Sequence, residues 1–126
     1  MKLAHIAVWT NDLDAASSFW CEYFSAAIGP LYRSRRQQGF ISRFATLPGG
    51  LQLELMAAPW VEGGAAKDRL GWAHVALSLE SVGAVDAAAA RFAAVGLLVS
   101  APRRTGDGFY EAVVQTPEGT LIEIVA

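Results

Sequence analysis

The sequence Leu-Ala-His-Ile-Ala-Val, residues 3–8, reappears in the second half of the chain as Trp-Ala-His-Val-Ala-Leu, residues 72–77. Each stretch contains one histidine, His5 or His74, and each is followed by a polar turn and then an apolar helical stretch. Short apolar runs that end at a polar turn are typical of β-strands. The repeat therefore predicts a strand followed by a helix, twice.

A second pair of matching segments comes later in each half. Leu-Glu-Leu at residues 53–55 corresponds to Ile-Glu-Ile at residues 122–124, and each follows a glycine-containing turn. The two histidines are 69 positions apart (74 − 5), and Glu54 and Glu123 are also 69 apart (123 − 54). Because an internal repeat keeps equivalent positions in register, we expect two copies of one module, each with a His and a Glu 49 residues apart.

Helical periodicity between these landmarks predicts one helix in each half. Residues 12–27 carry apolar side chains at helical spacing, with Asn11 or Asp12 as the N-cap. Residues 81–95 form the counterpart, with Gly96 as a C-cap.

Turn signals separate the remaining predicted strands, which are residues 33–36, 40–47, 51–57, 97–101, 108–116 and 120–125. Each half is therefore βαβββ, with a first module at about residues 1–57, a connection at about 58–71 and a second module at about 72–126. The predicted fold class is α+β, in which each half-sheet packs its apolar face on a helix and leaves a curved inner face.

Composition excludes several kinds of partner. With 126 residues and 53% hydrophobic content, the chain is expected to form one domain with a real core. A formal net charge of −2 is too weak to hold a nucleic acid or an anionic membrane by bulk electrostatics. A small-molecule partner is therefore the default expectation.

The ends of the hydrophobic segments and the cysteine count indicate a cytoplasmic protein. The first apolar stretch meets Asn11 before it reaches the length of a signal-peptide core, and no apolar run is long enough to span a bilayer. Cys21 is the only cysteine, so no intrachain disulfide can form. We expect it to be a small residue in or near the core.

Strand alternation predicts that the repeated polar residues share one kind of face. His5 and Glu54 point away from their apolar neighbours, and His74 and Glu123 do the same in the second half. A buried carboxylate without a partner is costly, and a divalent cation relieves that cost. Two imidazoles and two carboxylates suit one Ni, Zn, Co, Mn or Fe(II) ion, with positions left open for water or substrate.

The motifs in order are a histidine on the first strand, Leu-Glu-Leu closing the first module, Ala-His-Val-Ala opening the second, and Thr-Pro-Glu-Gly-Thr-Leu-Ile-Glu-Ile at residues 116–124. Together they resemble the vicinal oxygen chelate superfamily, which includes glyoxalase I, extradiol dioxygenases and bleomycin-resistance proteins, over essentially the whole chain. The resemblance implies an open, curved, eight-stranded mixed sheet around a concave cavity that holds one divalent metal. His5, Glu54, His74 and Glu123 correspond to the ligands of the bacterial glyoxalase I type.

This ligand set implies glyoxalase-like lyase or isomerase chemistry on a substrate with vicinal oxygens, through an enediolate-type intermediate. In the family, dioxygenases and fosfomycin-resistance enzymes typically lack a glutamate at the position of Glu54. By resemblance, Glu123 is expected to be the catalytic base, and Glu54 is expected to serve the opposite face of the substrate.

One departure concerns the substrate. Bacterial glyoxalase I usually has a basic residue for glutathione where this chain has Trp9, which places glutathione specificity in doubt. Trp9, Trp72 and Phe109 or Tyr110 are instead expected to form a more aromatic substrate-binding cavity. The arginines are candidate anion contacts, namely Arg33, Arg35, Arg36, Arg43, Arg103 and Arg104.

Three alternatives stay open at this point. One is an extradiol dioxygenase with Fe(II) and a catechol substrate, and another is an epimerase that uses the same metal and carboxylate chemistry. The third is a metal-free drug-binding protein that resembles bleomycin-resistance proteins, which usually lack the ligand set. The resemblance also implies a homodimer with the site at or near the subunit interface, and leaves open whether one chain or two supply the ligands.

Overall fold

The computed structural model describes residues 1–64 and 70–126. Two compact units, residues 1–63 and 64–126, divide the chain. The first contains β1 (Ile6–Trp9), α1 (Leu13–Phe24), β2 (Ala27–Ile28), β3 (Tyr32–Arg33), β4 (Ile41–Thr46) and β5 (Gln52–Ala57). The second contains β6 (Val75–Ser78), α2 (Val82–Ala94), β7 (Leu98–Arg104), β8 (Tyr110–Gln115) and β9 (Leu121–Val125). Across both described ranges, neither helix has the length and apolar character needed to cross a membrane.

The sheet of the first unit has the order β1-β5-β4-β2, and β3 also pairs with β4. β1 runs parallel to β5, whereas the other pairs are antiparallel. Alternate residues of β5, Leu53 and Leu55, are almost fully buried, as are Phe19 and Trp20 of α1. Helix α1 packs against β4 and β5, so it covers one face of the sheet. Burial of each such large side chain stabilises the fold by roughly 1.5–3 kcal/mol.

The second unit repeats this arrangement as β6-β9-β8-β7, with β6 parallel to β9. Ile122 and Ile124 of β9 are fully buried, and Val85 and Phe92 of α2 are buried on the helix side. In each unit, the face that the helix does not cover is called the helix-free face below.

Local signals explain where the helices begin and end. Asp12 is the N-cap of α1, and its side chain accepts a hydrogen bond of 2.9 Å from the Ala15 amide. Ser81 caps α2 in the same way through the Ala84 amide. Gly96 ends α2 with φ of +74°, and the amides of Gly96 and Leu97 bond back to the carbonyls of the last helical turn.

The predicted α+β fold class with two modules is confirmed, with differences in the first unit. Helix α1 ends at Phe24 instead of residue 27 because Ser25 adopts a left-handed conformation, and Ala27–Ile28 then pair with β4. The strand predicted at residues 33–36 is the short β3, because the Ser34 hydroxyl accepts hydrogen bonds from two following amides and forms a turn. The described residues therefore form nine strands in two sheets instead of eight.

Two further predictions concern single segments. Cys21 is exposed and not in the core: it lies on the same side of α1 as Asp14 and Ser17, with which it lines an open cleft. The predicted connection at residues 58–71 includes residues 65–69, which lie outside the described residues.

Candidate metal-binding site

The first unit brings His5 and Glu54 together on its helix-free face. The parallel register of β1 and β5 places Ala7 opposite Glu54, and His5 is two residues before Ala7 on the same face. The His5 Nε2 atom lies 3.6 Å from Glu54 Oε2, and the two side chains are 43% and 20% exposed. Solvent and a ligand can therefore reach both donor atoms.

The second unit contains an equivalent pair, His74 and Glu123. Ala76 of β6 lies opposite Glu123 of β9, in the register that relates Ala7 to Glu54. The His74 Nε2 atom is 3.1 Å from Glu123 Oε2, with side-chain exposures of 39% and 21%. The 69-residue repeat in the sequence is thus a repeat of side-chain geometry.

The strands account for this placement. Each glutamate lies between two buried apolar residues, Leu53 and Leu55 in one unit and Ile122 and Ile124 in the other. Because these neighbours face the helix, strand alternation directs the carboxylate to the opposite face.

The donor chemistry fits a divalent metal. Imidazole nitrogen and carboxylate oxygen bind first-row divalent ions at about 2.0–2.2 Å, so two donors on adjacent positions of one ion lie roughly 3 Å apart. The His–Glu distances of 3.6 Å and 3.1 Å are close to that value. Within residues 1–64 and 70–126, no group of three or more His, Cys, Asp and Glu side chains is suitably placed to hold a metal ion. The predicted set of four ligands is thus represented by one pair in each unit.

The surroundings of the first pair are aromatic. Phe44 of β4 lies opposite Glu54, and its ring meets the His5 imidazole edge to face with centroids 5.5 Å apart. Trp9, one of the predicted substrate contacts, shares the helix-free face and is 43% exposed. Its ring contacts Phe40 at 6.0 Å. The sequence interpretation missed Phe44 and Phe40, although the alternation of Phe40, Ser42 and Phe44 places all three on one face.

The second pair has an aliphatic neighbour where the first pair has Phe44. Val113 of β8 lies opposite Glu123. Two residues away on the same strand, Glu111 is buried and forms an ion pair with Arg103, with Nη2 and Oε1 3.4 Å apart. Arg103, a predicted anion contact, thus has a carboxylate beside it within the chain.

The other predicted substrate contacts are placed differently. Trp72 is fully exposed and precedes β6, and Phe109 is about half exposed in the turn before β8. Tyr110 lies on the helix-covered face, where its hydroxyl donates a hydrogen bond of 2.6 Å to Asp86 of α2. That hydrogen bond is the main reason why the pKa of the Tyr110 hydroxyl is raised. The structure therefore places Trp9, and not Tyr110, on the face of a His–Glu pair.

Two further arginines also have roles within the fold. Arg43 donates a hydrogen bond of 2.9 Å to the Gly29 carbonyl, and the Arg104 guanidinium lies 5.7 Å from the centroid of the Tyr110 ring. Arg43, Cys21 and Ile28 line part of an open cleft of about 490 Å³ beside α1. No member of either His–Glu pair lines this cleft.

The sequence model of the Glyoxalase/Bleomycin resistance protein/Dioxygenase superfamily matches residues 2–124. A glyoxylase/bleomycin resistance protein/dioxygenase domain from Frankia sp. EAN1pec has a TM-score of 0.87 at 18% identity, over 99% of this chain and 96% of that chain. A glyoxalase I mutant from Zea mays has a TM-score of 0.77 at 18% identity, over 98% of this chain and 44% of that chain.

The fosfomycin resistance protein FosX from Listeria monocytogenes, in a complex with Mn(II) and sulfate, has a TM-score of 0.73 at 19% identity, over 99% of this chain and 91% of that chain. At these identities the structural likeness establishes the fold and not the reaction. No curated protein shows a significant match to the sequence.

Proposed function

The chain belongs to the glyoxalase/bleomycin resistance protein/dioxygenase superfamily, and on this basis we propose that it is a metal-dependent lyase or isomerase of the glyoxalase I type. Its substrate is a small molecule with oxygens on adjacent carbons. The observation that carries the proposal is the repeated His–Glu pair, which has the same strand register in both units.

We assign His5, Glu54, His74 and Glu123 as the ligands of one divalent ion, drawn from Ni, Zn, Co, Mn and Fe(II). The imidazole and carboxylate donors suit these ions, and the Mn(II) bound to FosX, a protein of the same fold, supports the assignment. When bound, the ion would supply Lewis acidity to the substrate oxygens.

The reaction needs a base that moves a proton between two adjacent carbons, and Glu123 is our candidate. Its carboxylate is partly exposed and lies 3.1 Å from the His74 imidazole, which positions it. The carboxylate would take a proton from the carbon that bears the hydroxyl group and return it to the neighbouring carbonyl carbon. Glu54, the equivalent residue of the first unit, is the candidate for proton transfer at the opposite face of the substrate.

We also propose that the chain forms a homodimer in the cytoplasm, with the site at or near the subunit interface.

Dimers of two different variants would show whether one chain or two supply the ligands of each site. A His5→Ala chain paired with a His74→Ala chain keeps one intact pair in each subunit. Recovery of turnover in the mixed dimer would assign each site to two chains, and no recovery would assign it to one chain.

Proton exchange with solvent tests the reaction even while the product is unidentified. The chain is stripped of metal, reloaded with each ion in turn and incubated in D₂O with hydroxyacetone or with the hemithioacetal of methylglyoxal and glutathione. We expect metal-dependent loss of the NMR signal of the proton on the hydroxyl-bearing carbon, as deuterium replaces it. Glu123→Gln should abolish the exchange, whereas Glu62→Gln, an exposed position of the first unit, should not change it.

Metal-independent exchange, or equal exchange rates for Glu123→Gln and the unmodified chain, would contradict the proposal. An oxygen-dependent reaction with catechol and Fe(II), without proton exchange, would instead support the extradiol dioxygenase alternative. Ligand binding without any metal would favour a drug-binding protein.

A further inference from the structure

Three aromatic rings form a row on the helix-free face of the first unit. Trp9 meets Phe40 at 6.0 Å between centroids and 84° between planes, and Phe40 meets Tyr32 at 6.4 Å and 70°. We call Trp9, Phe40 and Tyr32 the aromatic row. Trp9 is 43% exposed and Tyr32 is 56% exposed, so the row is ordered by its own ring contacts while much of its surface stays accessible.

Strand register fixes the position of the row in the sheet. Trp9 lies opposite Met56, Met56 opposite Ser42, and Ser42 opposite Tyr32, so these side chains cross four neighbouring strands on one face. Phe40 connects the two ends of this line through its contacts with Trp9 and Tyr32. Ser42, in the middle of this line, is only 1% exposed.

The aromatic row runs beside the His5–Glu54 pair. Glu54 is two residues before Met56 on β5, and Phe44 is two residues after Ser42 on β4. Two residues of a strand span about 7 Å. A six-membered ring held against the row can therefore have substituent oxygens directed at the His–Glu pair.

The lining that strands β1, β4 and β5 supply to this face suits a neutral ligand group. The residues of strands β1, β4 and β5 that share the face, all within the described part of the chain, include no Lys or Arg; they are Ala7, Trp9, Ser42, Phe44, Thr46, Gln52, Glu54 and Met56. Arg43 has the opposite parity and bonds to the Gly29 carbonyl. An uncharged ring therefore suits the surface better than a carboxylate or phosphate group.

Backbone geometry holds Phe40 in place. Gly39 has φ of +87°, and a Cβ atom at that position would lie 2.8 Å from the Pro59 ring. Only glycine satisfies both conditions without strain. The Ser34 amide also bonds to the Phe40 carbonyl, which ties the residue to the β3 end of the loop.

We propose that the aromatic row binds an uncharged, planar aromatic ring of the substrate, next to the vicinal oxygens that face His5 and Glu54. Perpendicular neighbouring rings form corners in which a ligand ring can meet one ring face and one ring edge. The proposal rests on the proposed function for the position of the oxygens. It adds Phe40 and Tyr32 to Trp9 as residues that determine specificity.

A matched pair of neutral ligands tests this inference. 2-Hydroxyacetophenone and hydroxyacetone carry the same vicinal oxygens and differ by a phenyl ring in place of a methyl group. Binding to the full chain is measured by ligand-observed NMR titration. We expect the aromatic ligand to bind about three- to tenfold more tightly than its aliphatic partner, the range typical of one aromatic contact.

Substitutions in the aromatic row test which rings cause the preference for the aromatic ligand. Trp9→Leu and Phe40→Leu keep apolar bulk and remove a ring, and each should bring the two affinities within about twofold of one another. Trp60→Leu, at an exposed tryptophan of the same unit, should keep the preference. Tyr32→Leu, at the most exposed ring of the row, provides a second variant if either of the other two affects folding.

The outcomes separate the two proposals. Metal binding without any preference for the aromatic ligand would refute the proposed role of the aromatic row and leave the metal proposal intact. A row-dependent preference in a chain that binds no metal would support the row and refute the metal proposal. If a cyclohexyl analogue binds as tightly as 2-hydroxyacetophenone, the assignment to an aromatic ligand is wrong. The same holds if the variants lose the preference only when their oligomeric state also changes.

Discussion

The two units of this chain share the arrangement of their strands and a His–Glu pair, and they differ in the side chains around that pair. Strands β4, β5, β1 and their counterparts β8, β9, β6 begin 69 residues apart, and the His–Glu pair has the same register in both. Yet Phe44 lies opposite Glu54, whereas its counterpart Val113 lies opposite Glu123. The repeated part therefore contains the proposed metal donors, and the divergent part is suited to ligand recognition.

The aromatic row shows this divergence most clearly. Phe109 is 69 positions after Phe40, but the counterparts of Trp9 and Tyr32 are Ser78 and Ala101. Without those partners Phe109 is 49% exposed in a turn. Equivalent phenylalanines thus belong to the aromatic row in one unit and to a half-exposed turn in the other.

The largest expected effect tests whether the two pairs are chemically equal. Glu123→Gln should lower turnover about one hundred- to ten-thousandfold because it removes the proposed base. Glu54→Gln should have a smaller effect on kcat and a larger effect on metal affinity. Steady-state rates at saturating metal separate the two, and an equal loss of kcat would indicate that both glutamates act in catalysis.

Core substitutions test the structural equivalence of the units. Leu55 and Ile124 are 69 positions apart and fully buried beneath their helices. Replacement of either by Ala should lower the free energy of unfolding by about 2–5 kcal/mol, because each leaves a cavity. Urea denaturation measures both, and a near-neutral change in one unit alone would show that its core is not packed like the other.

A smaller effect on stability is expected at Arg103 and Glu111, which lie near the second His–Glu pair and differ from the equivalent residues of the first unit. Arg103→Met should lower the free energy of unfolding by about 1–3 kcal/mol, because it leaves the buried Glu111 carboxylate without its ion pair. The counterpart of Glu111 is the neutral Ser42. Addition of the substitution Glu111→Gln should recover part of the loss, and no recovery would exclude the unpaired charge as the cause.

The smallest expected effect concerns the helix ends. Ser25 ends α1 in a left-handed conformation with φ of 54°, whereas Gly96 takes that role after α2. Ser25→Gly should stabilise the protein by about 0.5–1 kcal/mol and Gly96→Ala should destabilise it by about 1 kcal/mol. Thermal unfolding shifts of the opposite sign would contradict the assigned helix ends.

Much of the candidate site could be predicted from the sequence because it depends on short-range rules. Alternation along a strand and a constant repeat were enough to predict that His5 and Glu54 share a face, and likewise His74 and Glu123. The sequence interpretation considered Phe109 and Tyr110 together, but consecutive strand residues face opposite sides, and Tyr110 contacts Asp86 of α2. Strand β2 was missed and β3 was predicted too long, because the turns at Ser25 and Ser34 depend on single residues.

The aromatic row could not be predicted because it depends on pairing between strands distant in sequence. Trp9 and Tyr32 are both linked to Phe40, but only the register across β1, β5, β4 and β3 brings the three rings into line. Apolar residues on one strand carry no information about which ring lies three strands away.

The two His–Glu pairs are proposed to hold one metal ion together, and the metal content per chain tests this most directly. Elemental analysis after reloading with Mn(II), with titration of free Mn(II) by electron paramagnetic resonance, is performed on the unmodified chain, His5→Ala and His74→Ala. We predict one ion per chain, and a loss of binding of at least roughly a hundredfold in each variant, because each removes a ligand of the same ion. Two ions per chain that fall to one in each variant would show that the pairs bind separately and would contradict the shared site.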